Sequence, residues 1–228
     1  MFIFRLISCF LLFSICPFKS QAQEETPEQL LQRVQSSLVE VRTIDSKTFN
    51  EGNGHTMVGT YHSQGAGVII DSYGTIVTNT HIVNNAPRIL VGLSDGTVLE
   101  AKLVYSSDAD FSFIKIDPPN PLQAITWADS SLAQVGTPII ALSNTDDDHQ
   151  QILGGEITDL INGIDSNTTE LFELNLNLLH GDSGGPLLDN QGHLLGLIMA
   201  KRLDEDNKSY AISSNKIQQE YLRYKENP

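Results

Sequence analysis

His180-Gly181-Asp182-Ser183-Gly184-Gly185-Pro186-Leu187 is the most informative stretch of the chain. A serine hydroxyl is a poor nucleophile at neutral pH. It needs a base to take its proton and donors to hold the oxyanion it creates. Glycines on either side let the backbone turn sharply and approach a substrate carbonyl closely. Such a turn aims the N–H groups of Gly181 and Ser183 at one point, as an oxyanion hole requires. An ordinary glycine-rich turn would account for a lone Gly-x-Ser. It does not account for Gly-Asp-Ser-Gly-Gly-Pro running directly into an apolar strand.

The same letters satisfy Gly-x-Ser-x-Gly, the nucleophile elbow of α/β-hydrolases, and chain order separates the two readings. In that fold the acid and the histidine follow the serine. Only 45 residues follow Ser183, too few to complete such a sheet. The single downstream histidine, His193, reads as an exposed turn residue before a strand. The base is therefore expected upstream. Thr78-Asn79-Thr80-His81-Ile82-Val83 follows the apolar runs Gly67–Ile70 and Thr75–Val77, so His81 sits at a strand end from which it can project into a cleft. The acid that orients the imidazole is expected at Asp110, just before the apolar strand Phe111–Ile116, where a carboxylate is partly buried. Asp108, two residues earlier and more exposed, is the rival. The order His81, Asp110, Ser183 is that of chymotrypsin-type enzymes.

The rest of the sequence supplies the frame. Of the 228 residues, Met1 to Ala22 combine Arg5, the apolar run Ile7–Cys16 and the exit Ser20-Gln21-Ala22. This is the pattern of a secretory signal peptide. The run is short for a membrane anchor, and neither cysteine sits where a lipoprotein signal needs one. Cys9 and Cys16 are the only cysteines, so the exported chain would carry no disulfide and no thiolate metal site. The formal charge of −14 becomes −16 once Arg5 and Lys19 leave with the signal peptide. Such a charge argues against nucleic acid or an anionic membrane as partner. No later segment approaches the length of a membrane span.

Thr26 to Leu38 carries Leu30, Leu31 and Val34 at helical spacing, with Pro27 suited to a first turn. Short apolar or alternating runs follow, separated by turn signals such as Asp71-Ser72-Tyr73-Gly74 and Ser94-Asp95-Gly96. Asp117 to Pro121 breaks the series and reads as an inter-domain link, and Ile217, Tyr221 and Leu222 mark a closing helix. The expected fold is all-β: two six-stranded antiparallel barrels with a short N-terminal helix and a C-terminal helix. The expected bounds are 1–22 signal peptide, 23–37 N-terminal segment, 38–120 first barrel with His81 and Asp110, and 121–228 second barrel with Ser183 and the final helix. Asp45–Gln64 and Asn144–Gln151 read as long surface loops. The three aspartates Asp146 to Asp148, with His149, lack the alternate spacing of a calcium loop and read as a solvated acidic tip.

Gly65-Ala66-Gly67-Val68-Ile69-Ile70-Asp71, Thr78–Val83, Leu93-Ser94-Asp95-Gly96, Asp110 before Phe111-Ser112-Phe113-Ile114-Lys115, the Ser183 segment and Tyr210-Ala211-Ile212-Ser213-Ser214-Asn215 occur together and in order. Together they resemble the trypsin-like protease domain of the HtrA (Deg) family, of chymotrypsin fold, from about Leu30 to the end. The resemblance implies a triad of His81 as base, Asp110 as acid and Ser183 as nucleophile, with oxyanion donors Gly181 and Ser183. It implies a cofactor-free, metal-free serine endopeptidase acting on polypeptides, unfolded ones included, in the periplasm or outside the cell. A trimer is implied by resemblance only. The chain departs from the family in two places. The PDZ domain that usually follows in the family is not expected here, and Leu179-His180-Gly181-Asp182 stands where the family often has Asn-Pro-Gly-Asn. Asn177, six residues before Ser183, is placed at the base of the substrate pocket, although loop geometry could move it away. Met199, Ala200 and Lys201 are the expected pocket wall and substrate-pairing edge, with a core-strand role as the alternative for Met199. The rival function is a latent or non-catalytic peptide-binding module on the same fold; a third is an esterase.

Overall fold

A computed structural model describes residues 26–51, 55–144, 150–163, 169–178, 181–199 and 209–226. The signal segment 1–22 and the acidic tip 146–149 lie outside these residues. The chain opens on helix α1 (Pro27–Val34), started by a capping box in which the Thr26 hydroxyl accepts the Gln29 N–H while the Gln29 side chain accepts the Thr26 N–H. Leu30 and Val34, four residues apart, fall on one face and are buried. Arg33 on the outer side donates to the Gln191 carbonyl at 2.7 Å. A 3₁₀ turn, Gln35–Ser37, leads into the first strand.

Six strands close the first barrel: β1 (Leu38–Glu51), β2 (His55–Ile69), β3 (Thr75–Thr78), β4 (Arg88–Gly92), β5 (Val98–Ser106) and β6 (Ser112–Lys115), in the spatial order β1-β2-β3-β6-β5-β4. A single helical turn, α2 (Thr80–Val83), follows β3. The second barrel holds β7 (Pro138–Asn144), β8 (Gln150–Asn162), β9 (Thr169–Leu174), β10 (Pro186–Leu188), β11 (Leu194–Met199) and β12 (Ser209–Ser213), in the order β10-β11-β12-β9-β8-β7. Helix α3 (Ser214–Glu226) follows the last strand. All pairs between these strands are antiparallel, and each sheet closes on itself. The expected all-β architecture of two six-stranded barrels with terminal helices is what the structure contains.

Strand alternation explains why several strands read as unbroken apolar runs. Successive side chains point to opposite faces. In β3, Ile76 joins the first-barrel core with Val41, Val91 and Ile114, whereas its neighbour Val77 joins a second cluster with Phe111, Phe113 and residues of the other barrel. That shared cluster takes in Leu188, Leu194, Leu197 and Ile212, together with Leu30 of α1 and Ile217 and Tyr221 of α3. Both helices therefore pack into the join between the barrels. The second barrel has its own core around Ile139, Ala141, Ile157, Phe172, Leu187 and Ile198.

One expectation fails. Of the expected loop Asp45–Gln64, residues 45–51 and 55–64 are strand. β1 and β2 stay paired residue by residue from Leu38↔Val68 out to Glu51↔His55. Cross-strand backbone bonding needs no apolar alternation, and the strand formers here are scattered among polar residues. The ends of the second expected loop also pair, Asn144 with Gln150.

Candidate functional site

The site is assembled from three short segments. Ser183 sits in the turn leading into β10, and this turn is wedged between the barrels. The Ser183 carbonyl accepts the Ala66 N–H of β2 at 2.8 Å, and the Ala66 carbonyl accepts the Thr78 hydroxyl at 2.7 Å. From the other side, the Gly184 N–H donates to the Ile198 carbonyl and the Ile198 N–H to the Gly185 carbonyl. Asp182 and Ser183 are 1% and 7% exposed. Two glycines are indispensable to this contact. Gly184 has φ +81°, and a Cβ there would lie 2.1 Å from the Ala66 carbonyl oxygen. A Cβ on Gly65 would meet Ile82 at 2.3 Å and the Ser183 carbonyl oxygen at 2.9 Å. The close packing of these glycines brings the turn after His81 against the turn that carries Ser183.

His81 lies on α2 and Asp110 in the turn before β6. The imidazole Nδ1–H donates to the Asp110 carboxylate, 2.8 Å from Oδ2 and 3.1 Å from Oδ1, and the His81 backbone N–H donates to Oδ1 at 3.0 Å. Both side chains are partly exposed, His81 at 42% and Asp110 at 28%. This geometry selects the tautomer that leaves Nε2 free to accept a proton. Asp110 is one of only two non-glycine residues with positive φ among the described residues, at +59°. That conformation is uncommon outside glycine and is best tolerated by Asn and Asp. Its carbonyl is held by the Thr80 N–H at 3.2 Å and the Asn79 side-chain amide at 2.9 Å. No hydrogen bond joins the rival, Asp108, to His81 among the described residues. Nor does one join His81 to Ser183; the hydrogen bonds of the His81 ring run to Asp110.

The other sequence-predicted residues scatter. Gly181 has φ +104°, a conformation reserved for glycine. Asn177 is exposed, because the extended segment alternates and its neighbours Leu176 and Leu178 take the buried side. Met199, at the end of β11, packs against the shared core and also lines a cavity of about 650 Å³ beside Asp110, with Tyr105, Asp108, Glu170 and Lys216. Burial and a hydrogen bond to Glu220 push the Tyr105 phenol above its ordinary pKa. His180, Ala200 and Lys201 lie outside the described residues, as do the side chains of His55 and His62. His193, expected as an exposed turn residue, does lie in a turn but is not exposed. It is half-buried, and its Nδ1 lies 3.2 Å from Asp189 Oδ2, because the tight 189–193 turn folds the ring back onto the residue four positions earlier. Among the described residues no three His, Cys, Asp or Glu side chains gather as metal ligands, and no helix is long and apolar enough to cross a membrane.

Sequence reasoning missed Asn79. Its only sequence signal was adjacency to a candidate histidine.

Residues 65–197 match the model of the trypsin-like peptidase domain. The periplasmic serine endoprotease DegP of Escherichia coli is 34% identical over 173 residues, covering 73% of this chain and 36% of DegP. The serine endoprotease DegS of the same organism is 30% identical over 177 residues, covering 76% of this chain and 49% of DegS. The chain thus spans half or less of the length of these relatives. Among solved structures, the HtrA-type protease AlgW with decapeptide superposes with a TM-score of 0.73 at 22% identity, over 86% of this chain and 66% of that one. At that identity the likeness speaks for the fold.

Proposed function

The chain belongs to the trypsin-like peptidase domain family, and from that premise we propose that it is an exported serine endopeptidase with Ser183 as nucleophile, His81 as base and Asp110 as orienting acid. The observation that carries this reading is the His81 Nδ1–Asp110 pair at 2.8 Å, set on the barrel seam where Ser183 is anchored to Ala66. In the proposed cycle Ser183 Oγ attacks the scissile carbonyl carbon while its proton passes to His81 Nε2. Asp110 holds the imidazolium that forms. The N–H groups of Gly181 and Ser183 take the negative oxygen of the tetrahedral intermediate. Collapse breaks the C–N bond, and the departing amine takes the proton back from His81. Water then attacks the acyl carbon while His81 takes its proton; collapse breaks the bond to Ser183 Oγ, which takes the proton back from His81, and the carboxylic acid leaves. No cofactor enters the cycle. Substrates are polypeptides, and the compartment is periplasmic or extracellular. Support comes from the signal-like segment Met1–Ala22 and from relatives named as periplasmic. The proposed units are 38–120 and 121–228, joined at the Pro-rich link.

A second reading, a latent peptide-binding module, is favoured by the missing His81–Ser183 hydrogen bond, although catalytic bonds of free enzymes often tighten only with substrate. Degradation of unfolded casein separates the two. The wild type should cleave it. Ser183→Ala should retain only residual catalysis, roughly 10³–10⁴-fold over water, and leave casein intact on the same timescale. Cleavage by Ser183→Ala at the wild-type rate would refute the assignment. Binding without cleavage by the wild type would favour the second reading.

A further inference from the structure

We propose that Asn79 is a positioning residue that fixes the Asp110 carboxylate against His81, acting through the Asp110 peptide carbonyl. The proposal rests on the serine peptidase reading above.

Asn79 occupies the N-cap position of α2, with extended backbone at φ −75° and ψ 146°. An asparagine there normally turns its carbonyl oxygen onto the N–H groups of the first helical turn. This one does not: the helix start has no side-chain cap. The side chain is fully buried and points the other way, its Nδ2 donating to the Asp110 carbonyl at 2.9 Å. Its Oδ1 is the one buried side-chain polar atom without a partner among the described residues. A buried unsatisfied oxygen is costly and rare in folded proteins. Flipping the amide would set Oδ1 against the Asp110 carbonyl, so the observed orientation is fixed by that contact. The helix forgoes its cap, and an acceptor goes unsatisfied, so that one donor can reach Asp110.

Asp110 needs that donor. Its left-handed conformation persists only where the surroundings impose it. Two groups hold its carbonyl, the Thr80 N–H and Asn79 Nδ2, and both come from the residues immediately before His81. The Asp110 carboxylate in turn accepts from the His81 backbone and ring. Asn79, Thr80, His81 and Asp110 therefore form one closed set, in which the tilt of the Asp110 peptide decides where its carboxylate points. With the Thr80 N–H as the one remaining donor to that carbonyl the peptide can rotate, and the carboxylate leaves the position from which it accepts the His81 Nδ1–H.

The test uses Asn79→Leu, which is close to isosteric, has no donor and removes the unsatisfied oxygen. A merely structural Asn79 would then cost little, and the melting temperature should stay at or above that of the wild type. The positioning role predicts a kcat at least about tenfold lower with KM within about twofold, the mark of an interaction made in the transition state rather than in binding. Asn79→Ala, which demands no extra space, carries the same expectation should the leucine variant fold poorly. Independently of turnover, the low-field proton resonance of a histidine Nδ1–H bonded to a carboxylate should be present in the wild type and lost or shifted upfield in both variants. Variants with wild-type kcat and an unchanged low-field proton would overturn the proposal. If the wild type itself turns over no peptide or ester, the catalytic reading fails, and the proton resonance alone still decides whether Asn79 positions Asp110.

Discussion

Tyr221 belongs to the C-terminal helix of the second barrel, yet its hydroxyl donates at 2.6 Å to Asp71, in the β2–β3 turn of the first. Burial, then the hydrogen bond to the Asp71 carboxylate, pushes this phenol well above its ordinary pKa. At Asp71 burial acts upward, but hydrogen bonds from Thr75 and Tyr221 and the charge of Lys115 outweigh it and hold the carboxyl below its usual value. Tyr221→Phe removes the link and keeps the ring, which packs edge-on against Phe113 at 5.6 Å. A hydrogen bond to a charged group contributes about 1.5–3 kcal/mol. Asp71 retains the N–H groups of Tyr73 and Thr75 and is not orphaned, so the low end applies. The expected loss is about 1.5 kcal/mol, or about 3–6 °C in melting temperature for a chain of this size. Urea denaturation of both proteins across pH gives a sharper signature. A depressed carboxyl pKa contributes stability that is present above the unfolded value and is lost as pH falls through the folded one. The gap between wild type and variant should therefore be flat from pH 7 to about 5 and shrink below about pH 4, the ordinary range of an aspartate. A gap absent at pH 7, or one that widens on acidification, would refute the reasoning.

Gly184→Ala places a Cβ in left-handed backbone and 2.1 Å from the Ala66 carbonyl oxygen. The conformation alone costs about 1–2 kcal/mol, and with the collision the total should reach about 3 kcal/mol or more. A loss under about 1 kcal/mol in chemical denaturation would contradict the seam as described. Asp110→Asn should lower kcat on casein by about 10³–10⁴ with stability little changed, because the amide favours the wrong imidazole tautomer. Asp108→Asn, at a residue with no hydrogen bond to His81, should stay within about twofold, and equal losses in the two variants would show that the proposed acid is misassigned.

The strand content and the candidate triad were legible because both rest on local signals. Ser183 announces itself through its flanking glycines, and His81 and Asp110 each stand beside an apolar strand, at its end or its start. The terminal helices were legible from spacing, Leu30 with Val34 and Ile217 with Tyr221. The β1–β2 ribbon was hidden because its pairing is carried by backbone bonds that leave no hydrophobic period. Other features depend on contacts that no local pattern encodes. Asp71 reads as an ordinary turn residue until Tyr221, 150 positions away, is brought onto it. Asn79 reads as no more than a neighbour of the candidate histidine until its amide is found turned to Asp110. Asn177 was placed by its distance from Ser183 along the chain, but the alternation that buries Leu176 and Leu178 sends it to the surface.

The central claim, that Ser183 is a nucleophile activated by His81, is tested most directly by a fluorophosphonate probe, which phosphonylates a serine only where base and oxyanion donors are assembled. The account predicts rapid labelling of the folded wild type, mapped by mass spectrometry to Ser183, and none in Ser183→Ala. Failure of the folded wild type to label, or labelling that survives in Ser183→Ala, would contradict it.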